Sequence, residues 1–268
     1  MEVKILGGTG LHASEVKAVE RMRAELRGSW FAYASLLVAD DQGSMDVDTL
    51  IITHDRLLLV ELKEWNGKLE SLDGRWYLNG MSRGKSPYEI KRVHALRLQK
   101  LIQSELEHKL GYYPQVEAHV VLCGTATPDN LSSSEKRYVH NLDDFLEISG
   151  RDKYEALVED RSKAIYFIFD RSGKPRPNSQ ECLPIFRAFF GGHRVKPKEY
   201  RAHHFIADPT PWFNHRNGLY KEYKGYHEEL ANDIALMRRW DSWIHRITAA
   251  LWAPRWRQEG QRRYPPCF

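Results

Sequence analysis

The sequence predicts a mixed α/β protein, and three observations carry that reading. Two short apolar runs, Asp46–Thr53 and Leu57–Lys63, follow each other across His54 and Asp55; a strongly marked helix opens at Ser86-Pro87; and a β-branched run, Val116–Cys123, comes after it. Continuous apolar runs of this length mark strands covered on both faces, which requires helices packed against a sheet.

The elements follow in order. Gly7-Gly8-Thr9-Gly10 lacks the lysine of a phosphate-binding loop and reads as a flexible lead-in. Ser14 is placed to cap a helix running to Leu26, with Glu15, Val19, Met22 and Leu26 on one stripe facing inward. Residues 30–39 read as a strand and 40–44 as a turn; Asp73-Gly74, between short alternating runs, signals a hairpin. Ser86, Pro87 and Glu89 supply a cap, a first-turn proline and a capping box, for a helix that Gly111 ends. Residues 116–123 form the next strand, Thr127–Arg137 a polar loop, and a short strand and helix follow before residue 160.

Three segments are therefore expected: a domain over 1–160, a satellite subdomain over 161–241, and a tail over 242–268 that is poorly ordered or docks by an aromatic patch. The second contains a strand at Lys163–Asp170, a linker at Arg171–Ser179 and a helix at Glu228–Trp240; His203, His204 and His215 read as linker histidines.

A chain of 268 residues with 42% apolar content can fill a core. No run approaches the roughly 18 apolar residues of a membrane span and the N-terminus has no signal-peptide pattern, so a cytoplasmic protein without a membrane partner is expected. Cys123, Cys182 and Cys267 lie too far apart to suggest a disulfide framework or a zinc knuckle. The formal charge of +4 resides in the tail, where Arg246, Arg255, Arg257, Arg262 and Arg263 face Glu259 alone, so bulk charge makes no case for nucleic acid.

The chemistry concentrates in the two apolar runs. A two-residue turn at His54-Asp55 sets Thr53 across from Arg56, Asp48 across from Glu61 and Asp46 across from Lys63. Asp48, Glu61 and Lys63 then project from one face, and two carboxylates so placed repel each other unless a cation compensates. Magnesium accepts such a pair and keeps room for waters and phosphate, and Glu15 can reach the same point. The same residues also suit ordinary strand-end ion pairs, and Glu15 suits a first-turn acid favoured by the helix dipole. Lys85, Lys91, Arg92, Arg97 and Lys100 could track a phosphate backbone or form a solvated helix face.

At these residues the chain resembles the nuclease-related domain, NERD, a branch of the PD-(D/E)xK nuclease superfamily. The resemblance rests on Glu15, on Val47-Asp48 before an apolar strand, and on Val60-Glu61-Leu62-Lys63 followed by Trp65 and Gly67. Gly74-Arg75-Trp76 and Ser86-Pro87 extend it, over about residues 10–150. It implies a restriction-endonuclease-like αβββαβ core with a mixed central sheet and a smaller C-terminal appendage. It further implies Asp48 and Glu61 as metal ligands, Lys63 as catalytic lysine and Glu15 as upstream acid. Many members carry glutamine three residues after the proline, where this chain has Ile90.

Residues 160–241 are similar to the linker of bacterial NERD–kinase fusions, although the kinase motifs are absent. The expected function is an Mg- or Mn-dependent nuclease acting on DNA, with Lys85, Lys91 and Arg92 contacting nucleic acid. The alternative is a non-catalytic nucleic-acid-binding or regulatory module. RNA, a homo-oligomer and a separate kinase stay open as partners.

Overall fold

In the computed structural model, residues 1–6, 11–112, 114–157, 176–192, 195–197, 201–202, 205–207, 211–214, 220–227 and 234–240 are described. The predicted strands at 163–170, most of the linker at 171–179, the paired histidines, His215 and the tail lie outside them.

The α/β reading holds. The first strand, β1 (Glu2–Ile5), leads through α1 (Ala13–Glu25) to a parallel neighbour, β2 (Phe31–Asp40). Two antiparallel strands, β3 (Gly43–Ile52) and β4 (Arg56–Lys63), follow. Next comes a separate three-stranded sheet, β5 (Leu69–Leu72), β6 (Arg75–Leu78) and β7 (Met81–Lys85). Both of its turns have two central residues of positive φ, Asp73-Gly74 and Asn79-Gly80, the geometry in which aspartate or asparagine followed by glycine is favoured. The long helix α2 (Pro87–Leu110) then crosses over to β8 (Gln115–Leu122), which pairs in parallel with β4. A one-turn helix, α3 (Ser133–Lys136), lies inside the predicted polar loop, and β9 (Val139–Asn141), α4 (Leu142–Leu146) and α5 (151–157) follow. The central sheet has the order β1-β2-β3-β4-β8-β9, the mixed sheet expected of the core.

Helices cover both faces. Leu50 and Ile52 of β3 and Leu57 and Leu59 of β4 pack toward Leu98 and Ile102 of α2. The alternate set, Ile51, Leu58, Val60 and Leu62, packs with Val19 and Met22 of α1 and with Phe145 and Tyr154. This alternation fixes which side chains of β3 and β4 look toward α2.

Downstream, α6 (Leu183–Phe190) buries Phe186, Phe189 and Phe190 in the α2-side core, and β10 (Val195–Pro197) pairs with β2. The segment set apart from residue 161 by sequence thus contributes to the main sheet. A second sheet comprises β11 (Arg201–Ala202), β12 (Phe205–Ala207), β13 (Phe213–Asn214), β14 (Tyr220–His227) and β15 (Ile234–Trp240).

Two local expectations are corrected. Helix α1 starts at Ala13 with His12 as the cap residue, not Ser14, because the Glu15 carboxylate reaches back to accept the His12 N–H at 2.7 Å. The helix expected over Glu228–Trp240 is a strand from Ile234 on, paired residue by residue with β14. An apolar run that short carries no period to separate strand from helix, and the neighbouring strand decides it.

Candidate active site

The turn arithmetic fixes the register of the β3–β4 hairpin. Thr49 pairs with Val60, Leu50 with Leu59, Ile51 with Leu58 and Ile52 with Leu57, and the Thr53 N–H donates to the Arg56 carbonyl. Beyond Thr49 the ladder stops, so Asp48 and Glu61 face each other where the strands part.

Asp48 occupies a break on its other side too. β2 and β3 pair on both sides of Ser35 but not at it, and Ser35 stands opposite Asp48 with φ +60, a left-handed conformation in the middle of a strand. A non-glycine residue there is strained, and such strain persists only where its surroundings hold it. The interrupted ladder turns the Leu62 N–H to a new partner: it donates to Asp48 Oδ2 at 2.9 Å, fixing that carboxylate between the strands.

Around this point the charges collect. Asp48 is 2% exposed and Glu61 7%. The Lys63 ammonium lies 2.5 Å from Glu61 Oε1, and its side chain is a quarter exposed, on the open side of the cluster. Burial, with the Asp48 carboxylate next, raises the Glu61 pKa above the ordinary range despite the opposing pull of Lys63 and Lys91. Burial works against the Lys63 ammonium, but Glu61, Asp48 and Glu15 outweigh it and hold its pKa above the usual value. Glu15 comes from α1, on the opposite face of the sheet, and acts on the cluster at the end of β4; it is 9% exposed. Asp48, Glu61 and Lys63 are thus brought together, and Glu15 acts on Lys63 only through its charge. Asp46, expected across from Lys63, takes no part in a ladder there, and its main-chain carbonyl accepts from another residue.

That residue is Lys91. Expected on a phosphate-facing surface, it is turned inward and 4% exposed, with its ammonium 2.6 Å from the Asp46 carbonyl and 2.8 Å from Glu61 Oε2. The helix that carries it is well anchored: Ser86 Oγ accepts the Glu89 N–H, Pro87 fixes the first turn, and Ser86 Oγ also donates to buried Glu135 at 2.6 Å. Ile90, the departure from the family pattern, is 43% exposed and points away. The neighbouring Arg92 is exposed and paired with Glu89 at 2.9 Å, Arg97 is paired with Asp40, and Lys85 is exposed at the end of β7.

Two more residues of this region escaped the sequence reading. Ser35 gives no signal, since its conformation arises from the sheet. Cys123 follows β8 and donates its N–H to the Lys63 carbonyl at 2.8 Å; burial pushes its thiol up to about 12, with Glu15 and Asp48 adding to the rise. It is kept as a neutral thiol beside the carboxylates.

The arrangement offers two facing carboxylates, one partly exposed ammonium and one buried ammonium. Among the described residues no group of three or more histidine, cysteine, aspartate or glutamate side chains is placed to hold a metal ion. Comparison with protein families finds that residues 11–123 match the family described as the nuclease-related domain. No curated protein and no solved structure shows significant similarity to the chain.

Proposed function

From the match of residues 11–123 to the nuclease-related domain we propose that the chain is a metal-dependent nuclease hydrolysing DNA phosphodiester bonds at Asp48, Glu61 and Lys63. The observation that carries the reading is Glu61. Its acidity is weakened by burial and by Asp48 even with two ammonium groups against it. A buried pair of like charges is costly, and the donor set fits a small hard cation, which favours one or two carboxylates and retains water for the remaining positions.

Asp48 and Glu61 would hold the ion, and Mg or Mn bound there supplies a Lewis acid toward phosphate and lowers the pKa of a coordinated water. The protein's own groups do the rest. The Leu62 N–H holds Asp48 in place, so its carboxylate is presented without a search through rotamers. Lys63, with its pKa raised, stays an ammonium at neutral pH and places positive charge where a phosphate develops negative charge. Glu61 and Asp48 keep Lys63 charged, with Glu15 adding a smaller part. DNA is the substrate class favoured by the family likeness.

The test is cutting of plasmid and single-stranded DNA by the purified protein with Mg or Mn. Lys63→Ala should lower the rate about 100-fold or more, the usual cost of removing one transition-state charge donor. Unchanged cutting by that variant contradicts the assignment, and salt-dependent binding without turnover returns the non-catalytic module instead.

A further inference from the structure

We propose that Lys91 is a built-in counter-ion of the acidic pair, a charge with which an incoming divalent cation must compete, so that this one helix residue sets the metal affinity of the site. The inference rests on the metal-binding reading of Asp48 and Glu61.

Three features support it. First, Lys91 lies on the apolar stripe of α2: Ala95, Leu98 and Ile102 follow it at helical spacing and all are buried. A lysine on a core-facing stripe costs free energy unless a partner compensates it, and Glu61 Oε2 at 2.8 Å is that partner. Second, its position is imposed by a rigid helix start, capped by Ser86 and opened by Pro87, so it does not arise from a flexible surface chain. Third, the charge balance is local. Lys63 and Lys91 each take one oxygen of Glu61, so two ammonium groups face the Asp48 and Glu61 carboxylates. A divalent ion added beside the two ammonium groups that already face Asp48 and Glu61 would be repelled by them in a largely buried site, which electrostatics disfavours. The ammonium of Lys91 has a second acceptor, the Asp46 carbonyl at 2.6 Å, to which it remains tied when Glu61 turns to a metal.

A lysine with only a structural role would, when removed, weaken fold and metal binding together. A counter-ion gives opposite signs: without it the metal-free site loses its compensation, while the metal loses its competitor. The experiment is a calorimetric Mn titration together with thermal unfolding, with and without Mn, on the wild type, Lys91→Met and Lys91→Gln. Both neutral variants should bind Mn about tenfold tighter, melt lower than the wild type without Mn, and show a larger Mn-induced rise in Tm. Should Lys91→Met fail to fold, Lys91→Gln, which keeps a donor for the Asp46 carbonyl, carries the test. Mn binding in the variants that is equal to or weaker than in the wild type overturns the inference and leaves the metal site standing. A wild type that binds no Mn removes both.

Discussion

At the start of β4, Arg56 is 1% exposed and lies 2.9 Å from Asp55 and 2.7 Å from Glu117. Tyr154 donates its hydroxyl to Asp55 and meets Thr53 Oγ1 at 2.7 Å. At the other end of the same strand, Glu61 faces Asp48 across parted strands. Burial would raise Asp55, but Arg56 and the Tyr154 hydroxyl outweigh it and hold the carboxyl below the usual range. Glu61 is moved the opposite way. Six residues apart, Asp55 has its charge met by a guanidinium and a phenol, while Glu61 is placed so that carboxylates meet. Burial alone does not decide a carboxylate's fate; its nearest neighbours do. The completed end stabilises the hairpin, and at the other end Asp48 and Glu61 remain a like-charged pair in spite of the two lysines beside Glu61.

The comparison can be broken first at the completed end. Arg56→Met leaves Glu117 buried without its guanidinium and should cost about 3–5 kcal/mol in urea unfolding, with Mn affinity unchanged. A loss below about 1 kcal/mol would mean that this end is no better compensated than the other.

At the uncompleted end the sign should reverse. Asp48→Asn retains an acceptor for the Leu62 N–H and removes the like charge beside Glu61, so the metal-free protein should gain about 1–2 kcal/mol at neutral pH while cutting is lost. The pH dependence follows from the direction of the Glu61 shift. A carboxyl whose pKa is raised on folding contributes stability that is complete below its ordinary value of 4.5 and lost as pH rises through the raised one. The gain from Asp48→Asn should therefore vanish in unfolding measurements below about pH 4 and grow above it. A gain that stays constant with pH would point to packing.

Ser35 offers a smaller effect. Glycine adopts φ +60 without strain, so Ser35→Gly should raise stability by about 1 kcal/mol, read from the midpoint of denaturant unfolding. A loss instead would show that Ser35 contributes through its side chain. The smallest change belongs to Arg92, whose pair with Glu89 is exposed: Arg92→Ala should stay within about 0.5 kcal/mol in the same measurement.

Much of this was legible in the chain because the signals were local. His54 and Asp55 allow only a short turn, and a two-residue turn fixes every pairing up to Thr49 and Val60. Ser86, Pro87 and Gly111 mark the ends of α2 by rules of backbone geometry. What depends on distant partners was not legible. The strand at Ile234–Trp240 is decided by Tyr220–His227 beside it. The inward turn of Lys91 depends on the phase of a helix whose charges are scattered around it, and the break at Ser35 exists only once β2 lies against Asp48. The candidate site was therefore half readable: its carboxylates and Lys63 from strand spacing, its second lysine only from the packed helix.

The most direct measurement is a calorimetric titration of the metal-free wild type and of Asp48→Asn with Mn. One-site binding by the wild type, abolished or weakened at least about 100-fold in Asp48→Asn, is the predicted result. No binding by the wild type, or equal binding by the variant, would contradict the account.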